Sequence, residues 1–536
     1  MKRRTFIFNA AATWLLPSVV IQGCQTKVKS EGPASVDEDS FVLDEFTIEV
    51  LQRKMADNEL TARSILELYL KRVQMIDKEG PGLHAVIEIN PDALAIADLL
   101  DAERKNGKVR GPLHGIPFLL KDNIDTADKM MTTAGSLALE GHHAKADAPI
   151  VEQLRNAGAV LMGKTNLSEW ANFRSNRSSS GWSSRGGQTK NPYSLDRNPC
   201  GSSSGSGVAV AANLCAFAIG TETNGSIICP SSINGIVGIK PTVGLVSRTG
   251  IIPISKTQDT AGPMTRTVHD AALVLSAISA LDEQDPPTRE RPKNHSLNYA
   301  ALLNVHALQG KRIGIEKSYL KVHEGVDVLL EKALQQMRAK GAIIVEVNLV
   351  ERLKEISDNE YKVLQYEFKD GLNRYLTNAD ANVKSLKDVI DFNTKNEVNA
   401  MPFFKQEILE ASEAKGDLQT DEYKQALSTI LSVSRGAIDG IMQEHALATI
   451  IGPAAGPSWC TDLINGDSFG NYGMSTGPAI AGYPAITVPM GTVHGLPVGL
   501  CFIGKAYQEA ELFALAYAYE QASKNRRKPD FRINIQ

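Results

Sequence analysis

The sequence predicts an α/β protein in which buried strands alternate with helices. Short apolar runs at 116–120 (IPFLL), 159–163 (AVLMG) and 215–220 (CAFAIG) have the length and composition of strands buried in a sheet. Residues 151–158 (VEQLRNAG) have the apolar spacing of a helix that packs beside them. With 536 residues, 43% hydrophobic and 22% charged, the chain can form one large or two medium globular domains.

The same alternation continues along the chain. Amphipathic helices are predicted over 61–77 and 91–107, where apolar residues recur at helical spacing. A further helix is predicted over 267–279, and a strand and helix pair that starts at 311 closes with a strand over 342–349. The segment that follows Gly207 predicts a helix, so the serine-rich loop before it lies at a helix N-terminus.

Residues 351–445 differ in character from the rest of the chain. They contain long, charged, helical patterns with little strand signal between them, which predicts a helical insertion. Strand character returns at 446–453. No internal repeat and no second catalytic domain is visible in the sequence.

The N-terminus, residues 1–24, has the pattern of a signal peptide. A basic start and an apolar core lead to Ile21-Gln22-Gly23-Cys24, which resembles a bacterial lipoprotein cleavage site, and Arg3-Arg4 resembles a twin-arginine export signal. We therefore expect an exported protein in the periplasm or cell envelope, with a membrane tether through lipidated Cys24. A plain secretory signal with Cys24 unmodified is the alternative, and residues 25–40 are expected to be a polar linker before the folded body at 41–536.

The net charge of −4 offers no general attraction to nucleic acid. Five cysteines follow Cys24, and no pair has zinc-site or CxxC spacing. Most are expected to be small buried apolar residues. Cys200 and Cys229 flank two serine turns, so a cysteine nucleophile is considered, but no histidine lies near either one in sequence.

Two turns rich in glycine and serine indicate a catalytic site. One spans 201–207 and the other is Asn224-Gly225-Ser226, and such turns can direct consecutive backbone N–H groups at an anion. Ser202 and Ser226 carry hydroxyls there, but a serine needs a neighbouring base before it can attack. Lys121 ends the apolar run at 116–120, where loss of solvation would lower its pKa and make a neutral amine accessible.

Six motifs together resemble the amidase signature family. They are GPLHGIPFLLKDNID (111–125), TTAGS (132–136), GKTNLSEWAN (163–172), CGSSSGSG (200–207), GTETNGS (220–226) and GIKPTVG (238–244). The resemblance runs from about residue 60 to 520. It implies a single large α/β domain, with a mixed β-sheet flanked by helices. It also implies a Ser-cisSer-Lys triad, in which Lys121 is the base, Ser202 is the bridging serine in a cis peptide and Ser226 is the acylated nucleophile.

The resemblance further implies hydrolysis of a carboxylic acid amide through an acyl-enzyme. Backbone N–H groups of Thr223, Asn224, Gly225 and Ser226 would hold the oxyanion. The substrate would be a small-molecule or peptide amide, and no metal or organic cofactor is implied. The family usually has Asp where this chain has Glu222, and Gly where it has Asn224 and Ser204; these variants are similar to the peptide amidase branch, which removes C-terminal carboxamides.

Three other interpretations remain open at this stage. GSSSG (201–205) matches the G-x-S-x-G nucleophile elbow of serine esterases, with Ser203 as nucleophile and one of His269, His323, His445 or His494 as its partner. The family also includes an A-type component of amidotransferases, although export argues against that function. The third is a catalytically inactive binding protein on the same scaffold. Lys164 and Lys240 compete with Lys121 for the role of base, and we interpret both as structural.

Overall fold

The computed structural model describes residues 41–293, 295–354 and 356–535. The predicted signal peptide (1–24) and linker (25–40) lie outside the described residues. Within the described ranges, no helix is both long and apolar enough to cross a membrane.

Thirteen strands are present in the described part of the chain. In chain order they are β1 (Val86–Ile89), β2 (Pro117–Lys121), β3 (Val160–Thr165), β4 (Trp182–Ser183), β5 (Gly187–Gln188), β6 (Phe217–Glu222), β7 (Val237–Lys240), β8 (Thr260–Thr265), β9 (Arg312–Glu316), β10 (Ile343–Val347), β11 (Thr449–Pro453), β12 (Ala485–Val493) and β13 (Leu496–Ile503).

Sixteen α-helices are described in the same residues. They are α1 (Ile48–Ala56), α2 (Ala62–Arg72), α3 (Ala93–Lys105), α4 (Pro149–Asn156), α5 (Ser204–Ala211), α6 (Ile228–Ile233), α7 (Val268–Ile278), α8 (Glu324–Ala339), α9 (Leu349–Arg352), α10 (Ser357–Asn378), α11 (Leu386–Lys395), α12 (Glu397–Ala400), α13 (Glu407–Glu413), α14 (Asp421–Glu444), α15 (Thr476–Ala481) and α16 (Glu509–Ser523).

Among the described residues, eleven of the strands form one mixed sheet in the order β1-β3-β2-β6-β8-β7-β12-β13-β11-β9-β10. The parallel pairs are β3 with β2, β2 with β6, β11 with β9 and β9 with β10, and the remaining pairs are antiparallel. Strands β2, β3, β6 and β8 are buried along their whole length, as expected for strands covered on both faces. The predicted α/β domain with a mixed sheet flanked by helices is confirmed.

Helix α5 was predicted to follow Gly207, but it begins at Ser204, so residues 204–207 form its first turn. It packs closely against the sheet because its sequence, SGSGVAVA, has only small side chains. All eight of its residues are buried. A Cβ atom at Gly205 would collide with main-chain atoms of Ala85 and Asn166, so glycine is required at that position. The close approach fixes the serine loop that precedes α5 against the sheet.

Residues 349–444 contain helices α9 to α14 and, within the described positions, no strand. The side chains of Leu364 and Phe368 on α10 pack with Trp170 and Phe173 in one apolar cluster. Helix α10 also packs against α14. On α10, Glu360 accepts from the Asn224 side chain after β6, and the Tyr375 hydroxyl donates to Asp125 after β2, so this helix covers the carboxyl-terminal ends of both strands.

Candidate active site

Lys121 is the last residue of β2, and its side chain is fully buried. Strand β6 runs parallel to β2, so both carboxyl ends reach the same edge of the sheet. Lys121 Nζ lies 2.8 Å from Ser202 Oγ and 2.8 Å from Thr221 Oγ1. Ser203 Oγ lies 3.0 Å from the same nitrogen, and the Thr221 carbonyl oxygen lies 3.2 Å away. The amine is therefore held by hydroxyl and carbonyl oxygens, with no carboxylate of the described residues in direct contact.

Burial lowers the pKa of Lys121 from the usual 10.5 to about 7. The negative charges of Asp259 and Glu222 act in the opposite direction and raise it. A buried ammonium without a paired carboxylate is poorly solvated, so the neutral amine is favoured at much lower pH than in water. Near neutral pH a substantial fraction of Lys121 can accept a proton.

Ser202 and Ser203 lie in the loop before α5, and the peptide bond between Gly201 and Ser202 is cis, as the resemblance implies. The two hydroxyls have different surroundings. Both residues are buried, but Ser202 lines a cavity, whereas Ser203 donates to the Thr221 carbonyl oxygen (3.0 Å) and accepts from the Thr221 N–H (3.2 Å). Ser203 is thus bound into strand β6 and is not among the residues that line the cavity.

Ser226 ends the turn that follows β6, and Gly225 within this turn has a φ of 83°, which favours glycine. The Glu222 carboxylate accepts hydrogen bonds from the N–H groups of Ile227 (2.7 Å) and Ile228 (2.9 Å), which closes the turn. The Ser203 N–H donates to the Ser226 carbonyl oxygen (3.2 Å) and joins the two serine loops. No hydrogen bond connects the hydroxyls of Ser202 and Ser226 in the described part of the chain, although both line the same cavity.

The backbone N–H groups of Asn224, Gly225 and Ser226 have no acceptor among the described residues. All three residues line the cavity that contains the Ser226 hydroxyl. Unpaired N–H groups at successive positions of a turn form a site for a negatively charged oxygen. The arrangement can stabilise an oxyanion that develops beside Ser226.

The cavity has a volume of about 410 Å³. The loop 454–475, which we call the outer loop, contributes Trp459, Phe469 and Tyr472 to the lining, and Phe173 and Leu364 also line the cavity. The ring centroids of Trp459 and Phe469 lie 4.8 Å apart. Among the described residues that line the cavity, none has a charged side chain. The cavity therefore suits an uncharged ligand with an apolar or aromatic part.

The loop that supplies these aromatic residues is tied to the rest of the site by Asp467. Its carboxylate accepts hydrogen bonds from the N–H (3.0 Å) and hydroxyl (2.5 Å) of Ser180, from Asn198 Nδ2 (3.1 Å) and from Trp459 Nε1 (3.2 Å). Burial raises the pKa of this carboxyl group. Sequence reasoning did not find this loop, because its residues follow no motif and lie more than 200 positions from Ser226.

Three consecutive non-glycine residues at the cavity have left-handed backbone conformations. The φ angles of Trp170, Ala171 and Asn172 are 53°, 53° and 73°. Such conformations are uncommon for residues with a Cβ atom and persist where the surroundings enforce them. Here the buried ion pair between Arg174 and Glu169 (2.6 Å) and the burial of Trp170 hold the segment.

Cys200 and Cys229 form a disulfide, with Cα atoms 6.1 Å apart. The expectation that most cysteines are small buried apolar residues is therefore wrong for this pair, and it is wrong for Cys460, which is exposed; Cys215 and Cys501 are buried and free. The pairing was missed because the 29-residue separation carries no recognisable spacing. The bond joins the loop before Ser202 to the helix after Ser226, and its sulfur atoms are not available as thiolate nucleophiles.

Asn224 is one of the positions at which this chain departs from the family pattern. Its side chain donates to the carboxylate of Glu360 on α10 (2.8 Å) and accepts from the hydroxyl of Ser475 (3.0 Å). Gln258 Nε2 donates to the same carboxylate (3.0 Å) and to the Thr223 carbonyl oxygen (3.3 Å). The side chain at 224 thus connects the turn to the helical segment and to the outer loop.

The competing residues from the sequence lie away from the cavity. His269, His323, His445 and His494 are not among the described residues that line it. Lys164 is buried and donates to the Ile124 carbonyl oxygen (2.7 Å), and Lys240 is buried and donates to the Pro241 carbonyl oxygen (2.9 Å). Within the described ranges, no group of three or more His, Cys, Asp and Glu side chains is arranged to hold a metal ion.

Comparison with known proteins finds relatives over most of the length of the chain. A profile of the amidase family matches residues 64–513. A probable amidase of Arabidopsis thaliana is 40% identical over 543 residues, which cover 98% of this chain and 99% of the plant protein. The A-type component of the glutamyl-tRNA(Gln) amidotransferase of Caldanaerobacter subterraneus is 33% identical over 493 residues, which cover 90% of this chain and 97% of that protein.

The fold is also similar to that of a solved enzyme. The structure of native peptide amidase from Stenotrophomonas maltophilia superimposes with a TM-score of 0.88 and 48% sequence identity. The match covers 92% of this chain and all of that one, at 100%. The similarity therefore extends through the sheet, the serine loops and the helical segment.

Proposed function

The chain belongs to the amidase family and is an amidase; from this premise we propose that it hydrolyses neutral carboxamides through an acyl-enzyme on Ser226. Lys121 is the proposed base and Ser202 the proton relay. The observation that carries this assignment is the 2.8 Å contact between Lys121 Nζ and Ser202 Oγ, made by a buried lysine whose pKa is lowered to about 7. A lysine with this pKa is half neutral at pH 7, whereas one with the usual pKa of 10.5 is almost fully charged.

In the acylation step, the Ser226 hydroxyl oxygen forms a bond to the carbonyl carbon of the substrate. Its proton passes to Ser202 as the Ser202 proton passes to neutral Lys121, which becomes an ammonium. Collapse of the tetrahedral intermediate breaks the C–N bond, and the proton returns through Ser202 to the departing amine or ammonia. Water then attacks the ester at Ser226 by the same route and releases the acid.

The missing hydrogen bond between Ser202 and Ser226 is compatible with this path. Catalytic hydrogen bonds are often long in a free enzyme and shorten when substrate binds. The unpaired N–H groups of Asn224, Gly225 and Ser226 belong to residues that line the cavity beside the Ser226 hydroxyl. Together with Thr223 they are the proposed oxyanion site, and one such donor contributes on the order of 3 kcal/mol to transition-state stabilisation in other enzymes.

The uncharged cavity supports a substrate with an uncharged acyl part. A substrate that carries an ammonium or a carboxylate would need charged partners, and the described lining residues provide none. The export signal predicted over residues 1–24 argues against a component of a tRNA-dependent amidotransferase, because charged tRNA is cytoplasmic, so we favour an amidase. The similarity to a peptide amidase, solved in complex with the competitive inhibitor chymostatin, supports peptide amides as the substrate class.

A serine-directed fluorophosphonate and amide turnover together test the triad. Ser226→Ala should abolish labelling, while Ser203→Ala should leave it detectable because Ser203 is bound into β6. Lys121→Ala and Ser202→Ala should each remove most turnover. Because these residues act as a unit, the double variant Lys121→Ala with Ser202→Ala should lose little more turnover than the worse of the two single variants. Substitutions of His269, His323, His445 and His494 should each leave turnover intact. An adduct on Ser203, or one of these substitutions as damaging as Lys121→Ala, would overturn the assignment.

We also propose that the enzyme is exported and anchored to the cell envelope through Cys24. The signal pattern of residues 1–24 motivates this proposal, and the Cys200–Cys229 disulfide supports it because such bonds persist in oxidising compartments. Cys24→Ala should release the protein from the membrane fraction, with whole cells fractionated and blotted. A wild-type protein that is already soluble and unlipidated would contradict the anchor.

A further inference from the structure

Asp259 lies in the loop that leads into β8, directly before its first residue. Its carboxylate accepts hydrogen bonds from the N–H groups of Ile254 and Ser255, both at 2.8 Å. The Thr223 hydroxyl donates to the other carboxylate oxygen at 2.5 Å. Thr223 is the first residue of the proposed oxyanion turn, so Asp259 connects that turn to the loop beneath it.

A second cavity, of about 420 Å³, adjoins this carboxylate. Asp259 lines it together with Asn123, Thr221 and Thr223. The Thr221 hydroxyl is also a direct partner of Lys121, at 2.8 Å. Asp259 and Lys121 are thus connected through the short stretch 221–223 at the end of β6, Asp259 through Thr223 and Lys121 through Thr221.

We propose, on the basis of the proposed function, that Asp259 is a positioning residue for amide hydrolysis. It holds the oxyanion turn through Thr223, and its negative charge stabilises the protonated Lys121 that forms during acylation. Lys121 has no carboxylate of the described residues in direct contact, so a charge at longer range is the available compensation when it becomes an ammonium. Burial without such compensation would make the amine a weak base, and proton transfer is less efficient when the base is weak.

Other charged residues line the cavity beside Asp259, namely Arg248, Lys256, Asp285 and Arg374, and Arg248 is paired with Asp285. Two carboxylates act on Lys121 and raise its pKa: Asp259 from the loop before β8, and Glu222 at the end of β6. Burial raises the pKa of Asp259 to about 6, although the hydrogen bonds from Thr223, Ser255 and Ile254, and then the charge of Arg248, favour its ionised form. Asp259 is therefore mostly ionised at the pH where Lys121 titrates. Glu222 is already committed to the N–H groups of Ile227 and Ile228.

The test is the pH dependence of the rate at which a fluorophosphonate inactivates the full-length enzyme, which requires no identified substrate. In the wild type this rate should rise through the ionisation of Lys121. Asp259→Asn keeps the size and most hydrogen bonds but removes the charge. The rise of inactivation rate with pH, which we call the acid limb, should therefore move to lower pH by more than about half a pH unit in this variant. Its plateau rate should fall because Lys121 is a weaker base.

Asp77→Asn is a matched control. Asp77 is also buried and also accepts from two successive N–H groups, those of Ala85 and Val86, but it is not among the groups that act on Lys121. It should leave the acid limb at the wild-type position. If Asp259→Asn does not fold, Asp259→Glu and Asp259→Gln differ only in charge, and the limb of the Gln variant should lie at lower pH.

A limb that stays at the wild-type pH in the folded Asp259→Asn variant, or that coincides in the Glu and Gln variants, would overturn the role of Asp259. Inactivation of Lys121→Ala at the wild-type rate would instead overturn the proposed function itself. The two failures are therefore distinguishable in one experiment.

Discussion

Lys121 should destabilise the folded protein in a pH-dependent way, and Lys121→Met should reveal it. The folded protein lowers the pKa of this lysine from 10.5 to about 7. At roughly 1.4 kcal/mol for each pH unit, the difference corresponds to about 5 kcal/mol of folding free energy lost below pH 7. Methionine has a similar length and needs no solvation, so the variant avoids this cost but also loses the contacts to Ser202 and Thr221.

The direction of this pH dependence follows from the number of protons that the folded and unfolded states bind. Between pH 7 and 10.5 the lysine is mainly neutral in the folded protein and protonated in the unfolded chain. The unfolded state therefore binds one more proton, and wild-type stability rises with pH over this window. The variant lacks this ionisation, so its stability relative to the wild type should fall by about 2 kcal/mol between roughly pH 7 and pH 9. Below about pH 6 the difference should be nearly constant.

Urea unfolding followed by tryptophan fluorescence measures this difference at each pH. Other buried groups, such as Lys240, whose pKa is lowered to about 8, titrate in both proteins and cancel in the comparison. The lost hydrogen bonds set the absolute offset between the two proteins but not its slope with pH. A stability difference that does not change over this pH window would refute the assignment of a lowered pKa to Lys121.

Three further outcomes are expected. Amide turnover should follow the neutral fraction of Lys121, so that at pH 6 it is about one tenth of its alkaline plateau; a flat profile in a steady-state assay would remove Lys121 from the mechanism. Replacing both Cys200 and Cys229 by Ala should lower the free energy of unfolding by about 3.5 kcal/mol, because the unfolded chain is no longer constrained over the 29-residue separation. The variant should have a lower Tm that does not respond to reductant, and an unchanged Tm would contradict this expectation. Asn224→Gly should lower the free energy of unfolding by about 1–2 kcal/mol, because Glu360 loses a buried hydrogen-bond donor. Turnover should stay within a few-fold of the wild type, since only the backbone N–H at 224 is needed. Loss of turnover in a folded variant would show that the Asn224 side chain takes part in the reaction.

Local sequence was sufficient to predict an α/β protein, whereas the single domain with a mixed sheet was implied by the resemblance to the amidase signature family. The runs at 116–120 and 215–220 are apolar without interruption because strands β2 and β6 are covered on both faces of the sheet, and that pattern is legible from sequence. A helix was predicted after Gly207, but α5 begins earlier, at Ser204, and its close packing against Ala85 and Asn166 is visible only in the structure. The helices of 349–444 have regular apolar spacing that can be recognised, but the spacing does not indicate that α10 packs against Phe173 and covers the site.

The sequence by itself determined which residues of the candidate triad to consider: Lys121, Ser202 and Ser226 lie in motifs that can be recognised over a few positions. Only the tertiary structure decided their partners, because these lie far away along the chain: Thr221 is 100 positions from Lys121, and Asp259 is 36 positions from Thr223. The same holds for the Cys200–Cys229 disulfide and for the outer loop that lines the cavity. Hydrogen bonds, charge interactions and cavity walls depend on distance in space, and a local pattern fixes that distance only within one strand, turn or helix.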